Sequence, residues 1–251
     1  MKVVVIGGSG LIGSKVVSNL RAAGHEAIAA SPQSGVNTVT GEGLDAVLAG
    51  ARVVVDVSNA PSWADADVLA FFETSTRNLL AAEAKAGVAH HVALSVVGAD
   101  RVPDSGYLRA KAAQEKLIES GGVPWSIVRA TQFFEFLGRV ADSAVHDGTI
   151  HLTPAKVQPI AATDVAAEVT QAAVGEPTLS ITEVAGPERI GMNEIVGRYL
   201  SSIGDTRKVV VDPEERYFGA KLDDRSLTPD EGAHIGAIGF EEWMRDQPHA
   251  H

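Results

Sequence analysis

The sequence predicts an α/β protein with a doubly wound parallel sheet and a smaller carboxyl-terminal lobe. Three observations lead to this prediction. The first thirteen residues run from an apolar segment at 3–6 into a glycine-rich turn and then into an amphipathic segment. Strand-like and helix-like segments then alternate through the first half of the chain. After about Thr131 the elements become shorter, and seven of the eleven prolines follow residue 150.

The glycine-rich turn carries Gly7, Gly10 and Gly13 at three-residue spacing, directly after the apolar segment. We expect Gly7 to allow the sharp turn, Gly10 to let the backbone approach a phosphate, and Gly13 to let the helix pack close to the sheet. A strand, turn and helix in this order hold a dinucleotide pyrophosphate at the helix N-terminus. The alternative is a tight turn without a ligand, but the segments on both sides favour nucleotide binding.

The remaining elements follow from periodicity and from their end signals. Ile12, Val16 and Leu20 recur at helical spacing, and Gly24 stands at the expected C-terminal cap. Further strands are predicted near 27–30, 52–57, 92–97, 125–129 and 179–184, and further helices near 65–85, 106–119, 163–173 and 192–203, with Thr163 as the N-cap of the third of these helices. Continuous apolar strands between helices indicate a parallel sheet that is covered on both faces.

This pattern predicts two parts of the chain. Residues 1–131 form the dinucleotide-binding core, which the helix and strand near 160–185 join, and residues 132–251 form mainly a substrate-binding lobe. Ligands of open α/β sheets bind at the carboxyl ends of the strands. We therefore expect the lobe to cover that edge of the sheet.

Composition excludes several classes of function. The net charge of −11 and the pI near 5.1 argue against nucleic acids and membrane surfaces as partners. The chain has no cysteine, which excludes disulfides and thiolate nucleophiles; this agrees with a reducing compartment, and we expect a cytoplasmic protein. His90 and His91 are interpreted as a solvated strand end, and since no histidine spacing is typical of a metal site, we predict none.

A tyrosine and a lysine, Tyr107 and Lys111, stand four residues apart in a predicted helix. They therefore share one helix face, where the lysine ammonium is expected to lower the pKa of the phenol and enable proton transfer. Ser95 ends the preceding strand and is expected to polarise a substrate carbonyl. The alternatives are a packing tyrosine, a solvated lysine and a serine that satisfies backbone groups. The common register at one edge of the sheet favours the catalytic interpretation.

Taken together, these motifs resemble the short-chain dehydrogenase/reductase superfamily, in particular its atypical NmrA-like branch. The resemblance implies a Rossmann-like fold that binds NAD(P), with Ser95, Tyr107 and Lys111 in the catalytic positions and Lys111 also on the nicotinamide ribose. One position departs from the pattern, because Phe72 stands where many active members have an asparagine. The segments that carry the resemblance are 7–13, 76–82, 86–88, 129–133, 159–160, 164–166 and 184–188.

The end of the second predicted strand bears on the choice of cofactor. It carries Ser31, Gln33 and Ser34 but no carboxylate, which an NAD site uses to hold the ribose 2′-hydroxyl. We therefore predict a preference for NADP(H), with NAD(H) as the alternative, although the arginine usual for NADP(H) is also absent. The full set of expected cofactor contacts is Gly7, Ser9, Gly10, Leu11, Ile12, Gly13, Ser31, Gln33, Ser34, Ser58, Asn59, Ala60 and Lys111.

Aromatic residues follow two of the predicted strands and indicate an apolar pocket for a flat or hydrophobic small molecule. The alternative is that these rings pack the lobe onto the core. The leading hypothesis is therefore an NADP(H)-dependent oxidoreductase that transfers a hydride to a small carbonyl or quinone-like substrate. A non-catalytic NAD(P)-binding sensor or scaffold is the alternative. The expected pocket residues are Trp63, Gln132, Phe133, Phe134 and Phe136.

Overall fold

The structure is a computed structural model and describes residues 1–247 of the chain. Its strands, in chain order, are β1 Lys2–Ile6, β2 Glu26–Ala30, β3 Val53–Asp56, β4 His90–Val96, β5 Trp125–Ala130, β6 Val145–His146, β7 Thr149–Leu152, β8 Lys156–Val157, β9 Ile181–Ala185, β10 Ile190–Gly191, β11 Val209–Val211 and β12 His234–Ile235. Its α-helices are α1 Leu11–Ala22, α2 Leu44–Leu48, α3 Asp65–Ala86, α4 Gly106–Glu119, α5 Leu137–Ser143, α6 Ala162–Val174, α7 Met192–Ser202 and α8 Phe240–Arg245.

A seven-stranded parallel sheet in the order β2-β1-β3-β4-β5-β9-β12 forms the centre of the molecule. Apolar residues of α1 and α6 pack on one face of the sheet, and those of α2 and α3 pack on the other. Both faces are therefore covered, which explains why β1 and β3 are apolar and buried along almost their whole length. The predicted Rossmann-like α/β fold is confirmed.

The strand order reverses next to β1, and this reversal opens a crevice at the carboxyl edge of the sheet. The chain leaves β1, crosses through α1 to β2 on one side, and then returns through α2 to β3 on the other. Ile6, the last residue of β1, is in register with Ala30 of β2 and with Asp56 of β3. A reversal of this kind is the usual binding position in open α/β sheets.

A second hydrophobic cluster fills the carboxyl-terminal lobe. It combines buried residues of α5, α7 and α8 with those of two small sheets, β6-β7-β11 and β8-β10. The cluster continues onto α4 through Leu108, so the lobe packs against the edge of the sheet where the crevice opens. No helix among residues 1–247 is long and apolar enough to cross a membrane.

Two predictions about local structure are wrong. Thr163 lies inside α6, whose N-cap is Ala161. His90 and His91 do not form a solvated strand end: β4 begins at His90, and His91 is fully buried.

The buried histidines have specific hydrogen-bond partners that local sequence does not reveal. The Nδ1 atom of His91 lies 2.8 Å from a carboxylate oxygen of Glu83, a fully buried residue of α3. Burial lowers the pKa of His91, but the charge of Glu83 and the hydrogen bond to it outweigh burial and raise that pKa overall. The Nε2 atom of His90 lies 2.9 Å from Oγ of Ser126 on β5. Both histidines are therefore part of the polar interior of the sheet.

Candidate active site

A cavity of about 820 Å³ lies at the carboxyl ends of the central strands, where the lobe meets the sheet. It brings together most of the residues that the sequence predicted for cofactor, substrate and chemistry. The predicted residues that line it are Gly7, Ser9, Gly10, Leu11, Ile12, Ser31, Gln33, Ser58, Asn59, Trp63, Ser95, Tyr107, Lys111, Gln132, Phe133 and Phe136. Four predicted residues lie outside the lining, namely Gly13, Ser34, Ala60 and Phe134.

The glycine turn forms one end of the cavity. Gly7 has a φ of +78°, a conformation that side chains rarely allow. A Cβ atom at Gly13 would lie 2.2 Å from the carbonyl oxygen of Gly7, so only glycine lets α1 begin this close to the turn. Gly13 thus acts on the shape of the turn from outside the cavity lining.

The N-terminus of α1 has the features of an anion site. Its N-cap, Gly10, provides no side-chain cap. Within residues 1–247, the backbone N–H groups of Leu11, Ile12 and Gly13 have no hydrogen-bond acceptor. Free N–H groups and the positive end of the helix dipole together favour a phosphate group. The turn therefore fits the pyrophosphate of a dinucleotide.

Polar side chains without charge form the cavity wall that follows β2. Oγ of Ser9 and Oγ of Ser31 each donate a hydrogen bond to Oε1 of Gln33, both at 3.2 Å. Ser34 closes the turn instead, since its Oγ accepts from the backbone N–H of Ser31 at 2.9 Å. Ser34 is thus committed to the turn and does not reach the cavity.

Lys111 is buried and strongly hydrogen-bonded. Its Nζ donates to the carbonyl oxygen of Leu94 at 2.8 Å and also to Oε1 of Gln114. The same ammonium lies 4.4 Å from the centre of the Phe72 ring, a cation–π contact. Burial lowers the pKa of Lys111 to about 8, although the charges of Asp56 and Glu115 act in the opposite direction. The alternative of a solvated lysine is excluded.

Tyr107 lies among aromatic rings. Its ring centre is 5.5 Å from that of Trp63 and 6.1 Å from that of Phe72. Burial raises the pKa of Tyr107 to about 12. The expected lowering of this pKa by Lys111 is not seen in the resting site, where burial dominates and the ammonium donates to Leu94 and Gln114. Tyr107 is therefore a neutral phenol that keeps its proton throughout the neutral pH range.

Ser95 lines the cavity, but its hydroxyl proton already forms a hydrogen bond to a buried carboxylate. Its Oγ donates to Oε1 of the buried Glu115 at 2.6 Å. Glu115 also accepts two hydrogen bonds from Arg129, at 2.9 and 2.6 Å. Arg129 in turn contacts Asp100 at 3.0 Å. In this geometry Ser95 completes a buried ion pair, and polarising a carbonyl would require its hydroxyl to leave Glu115.

Aromatic rings form another part of the cavity lining, the aromatic wall. Phe133 and Phe136 stack with ring centres 5.5 Å apart, and Trp63 stacks on Phe218 at 6.2 Å. Next to Phe133, Oε1 of Gln132 is buried and has no hydrogen-bond partner within residues 1–247. The aromatic wall is therefore apolar.

Phe134 is predicted as a pocket residue, but it does not line the cavity. Its ring lies 5.4 Å from that of Trp243 and 5.8 Å from that of Phe240, inside the hydrophobic cluster of the lobe. The short 3₁₀ turn Phe134–Phe136 directs neighbouring side chains to different sides, so Phe136 faces the cavity and Phe134 faces the lobe.

Sequence reasoning missed five residues that shape the site. Gln114 and Glu115 follow Lys111 by three and four residues, and this helical spacing was the signal that could have revealed them. Asp56 ends β3 with a carboxylate in an otherwise apolar strand, which is a second signal. Phe71 and Phe218 also line the cavity, and Phe218 is too distant in sequence for any local pattern to reveal it.

Comparisons with known proteins agree with this geometry. The family model described as NAD(P)H-binding matches residues 7–174. MoeE5 in complex with UDP-glucose and NAD has a TM-score of 0.78 at 17% identity, covering 98% of this chain and 97% of that one. The UDP-glucose 4-epimerase of Thermus thermophilus, in complex with NAD, has a TM-score of 0.76 at 20% identity, with 98% and 97% coverage.

A dTDP-4-dehydrorhamnose reductase from Bacillus anthracis str. Ames, in complex with NADP, has a TM-score of 0.71 at 12% identity, covering 96% of this chain and 92% of that one. No curated protein matches the chain. At these identities the solved structures show a common fold alone, whereas the family model covers most of the chain. Together with the resemblance to atypical short-chain dehydrogenases/reductases, that match shows that this chain belongs to the NAD(P)H-binding family.

Proposed function

We propose that the protein is an NADP(H)-dependent oxidoreductase that reduces a small, apolar carbonyl or quinone-like substrate. One observation carries the proposal: Tyr107 and Lys111 line the same cavity as the glycine turn and the aromatic wall. A dinucleotide site, a proton donor and an apolar substrate pocket are the parts that such a reduction needs.

The chemistry assigns a separate role to each side chain. A nicotinamide cofactor held at the glycine turn by Gly7, Gly10 and the start of α1 would supply a hydride for the carbonyl carbon. The phenol of Tyr107 gives its proton to the carbonyl oxygen, and the resulting phenolate later recovers a proton from water. The cation of Lys111 stabilises the developing negative charge on the phenolate. A high pKa of Tyr107 in the resting site ensures that the proton is present when it is needed.

The preference for NADP(H) rests on the wall that follows β2. Ser9, Ser31 and Gln33 offer hydrogen bonds and carry no carboxylate that would repel a 2′-phosphate. The same wall also lacks an arginine or lysine, so NAD(H) remains the alternative. In either case the N–H groups at the start of α1 would hold the pyrophosphate.

The aromatic wall favours a flat or apolar substrate over a sugar nucleotide. Several solved structures of similar fold belong to proteins described with sugar nucleotides, such as UDP-glucose. In this chain, however, Trp63, Phe133, Phe136 and Phe218 line the substrate end. Rings of this kind offer few hydrogen bonds to the many hydroxyls of a sugar, whereas they match the face of a quinone or an aromatic aldehyde.

A second candidate function is a dinucleotide-binding sensor or scaffold that does not turn over its cofactor. Two contacts favour it: Ser95 is bound to Glu115, and Phe72 covers Lys111 where many active relatives of this type carry an asparagine. Tyr107 and Lys111 line the same cavity, and this argues against a sensor, because a sensor has no need of a proton donor at that position.

A panel of quinones, aldehydes and ketones, assayed by NADPH consumption with saturating cofactor, separates the two candidates. The proposal predicts turnover with at least one flat, apolar compound. Tight NADPH binding without cofactor oxidation by any compound supports the sensor. Turnover with polar sugars alone contradicts the apolar pocket.

A further inference from the structure

Gln114 lies between Lys111 and a buried carboxylate. Its Oε1 accepts from the ammonium of Lys111, and its Nε2 donates to Oδ2 of Asp56 at 3.0 Å. Only one orientation of the amide satisfies a cation on one side and a carboxylate on the other. The three side chains are each at most 3% exposed, so water does not replace these contacts. The bridge is therefore a specific, fully buried link from α4 to β3.

Asp56 extends this link to the segment that follows β3. Its Oδ1 accepts from the backbone N–H of Ser58 at 3.0 Å and from Oγ of Ser58 at 2.6 Å. Ser58 lines the cavity and belongs to the segment predicted to contact the cofactor. A single carboxylate thus holds the ammonium through Gln114 on one side and a wall of the cavity on the other.

We propose that Gln114 and Asp56 are positioning residues that hold the ammonium of Lys111 in place and tie it to the Ser58 segment. This inference rests on the proposed function, in which Lys111 is a cation that assists Tyr107. The ring of Phe72, 4.4 Å from Nζ, attracts the cation but cannot accept a conventional hydrogen bond from it. The acceptors for Lys111 therefore come from its own helix and from the carbonyl oxygen of Leu94 on β4.

The charges around Lys111 explain why a neutral amide occupies the bridge. Asp56 on β3 and Glu115 on α4 favour the cation. His91 on β4 also lies close enough to interact with Lys111, and it is paired with Glu83 on α3. Gln114 transmits the attraction of Asp56 without placing a further charge in this interior, where every unpaired charge is costly.

The test measures the titration of Lys111 in the protein without cofactor or substrate. Lysine labelled with carbon-13 at Cε is observed by NMR, and Lys111→Met identifies the signal. We expect Gln114→Leu to lower the pKa of Lys111 by about one unit or more, because the cation loses an acceptor. Asp56→Asn keeps the shape of the side chain and is expected to act in the same direction. Gln171→Leu, on the exposed face of α6, is the matched control and leaves the pKa unchanged.

A pKa of Lys111 that stays at the wild-type value in both folded variants overturns the inference. If Gln114→Leu does not fold, Asp56→Asn alone decides. A kinetic readout follows from the same change: activity that needs the cation falls as pH rises through its pKa, so this loss moves to lower pH in both variants. A shifted pKa without turnover in any protein contradicts the proposed function but supports the bridge. An unchanged pKa with Tyr107-dependent turnover contradicts the bridge alone.

Discussion

The two ends of the cavity are constructed differently. At the nucleotide end the backbone forms the site: Gly7 turns the chain, Gly13 admits the helix, and the first three N–H groups of α1 have no acceptor in the part of the chain that the structure describes. At the chemical end, buried side chains from β3, α3 and α4 and a backbone carbonyl of β4 meet around Lys111. The first end depends on one short run of consecutive residues, whereas the second depends on contacts between distant parts of the chain. Changes at the first should alter binding, and changes at the second should alter turnover or stability.

Tyr107→Phe is the strongest way to test this division. Loss of the proton donor is expected to reduce turnover about 10²–10⁴-fold, while the dissociation constant for NADPH stays nearly unchanged. Steady-state kinetics and calorimetry provide the two measurements. Tyr199→Phe, which removes a hydroxyl from a ring packed on Trp243 in the lobe, is the matched control. Full turnover in Tyr107→Phe would mean that the proton has another source.

Glu83→Gln tests how much the buried pair of His91 and Glu83 contributes to the free energy of unfolding. It leaves His91 fully buried without its carboxylate, and breaking such a pair costs about 3–5 kcal/mol. Urea unfolding at neutral pH measures the loss. The exposed Glu119→Gln on α4 is the control and is expected to have little effect. Equal stability of the two variants would show that the buried pair contributes little.

The pH dependence of this pair has a definite sign. Because the pKa of His91 is raised in the folded state, its contribution to stability is fully present below the pKa of the unfolded chain and is lost as pH rises through the folded value. We therefore expect the stability difference between the wild type and Glu83→Gln to shrink toward alkaline pH. A constant difference across that range would contradict the assigned protonation.

Gly13→Ala tests the nucleotide end. The new Cβ would lie 2.2 Å from the carbonyl oxygen of Gly7, so the start of α1 must move away from the turn. Strain of this kind typically costs about 1–3 kcal/mol, which corresponds to about five- to 150-fold weaker NADPH binding if it falls on the site. Gly197→Ala is the control, because its Cβ meets nothing within 4 Å. Unchanged NADPH binding would show that the glycine turn does not form the cofactor site.

Ser31→Asp tests whether the side chain at this position sets the preference between NADPH and NADH. The wild type is expected to bind NADPH more tightly than NADH, and a carboxylate at this position is expected to favour NADH by about tenfold or more through a charged hydrogen bond to the ribose. Calorimetry with both cofactors decides the question. Tighter NADH binding by the wild type would overturn the NADP(H) proposal, although the site itself would stand.

Ser95→Ala has the smallest expected effect on turnover. Since the hydroxyl already donates to Glu115, its removal should lower stability by about 1 kcal/mol and reduce turnover less than about tenfold. A loss as large as that of Tyr107→Phe would show that Ser95 leaves Glu115 during the reaction and contacts the substrate.

Sequence reasoning succeeded where the determinants are local. The strand, turn and helix around Gly7, and the spacing of Tyr107 and Lys111, follow from short-range patterns, and the fold and family that they predicted are confirmed. Sequence reasoning failed where burial and partners that are distant in sequence determine a residue's pKa or its hydrogen bonds. The raised pKa of Tyr107, the commitment of Ser95 to Glu115 and the burial of His91 against Glu83 depend on contacts that no local pattern contains.

Trp63 lines the cavity and provides an intrinsic fluorescence probe there. The chain has three tryptophans, and of these Trp63 lines the cavity, whereas Trp125 and Trp243 lie outside its lining. Its ring is 55% exposed and stands 5.5 Å from the ring centre of Tyr107. Reduced nicotinamides absorb light at the wavelengths where tryptophan emits, so a reduced nicotinamide bound in the cavity is expected to change the fluorescence of this residue. The filling of the site can thus be followed in real time without any label.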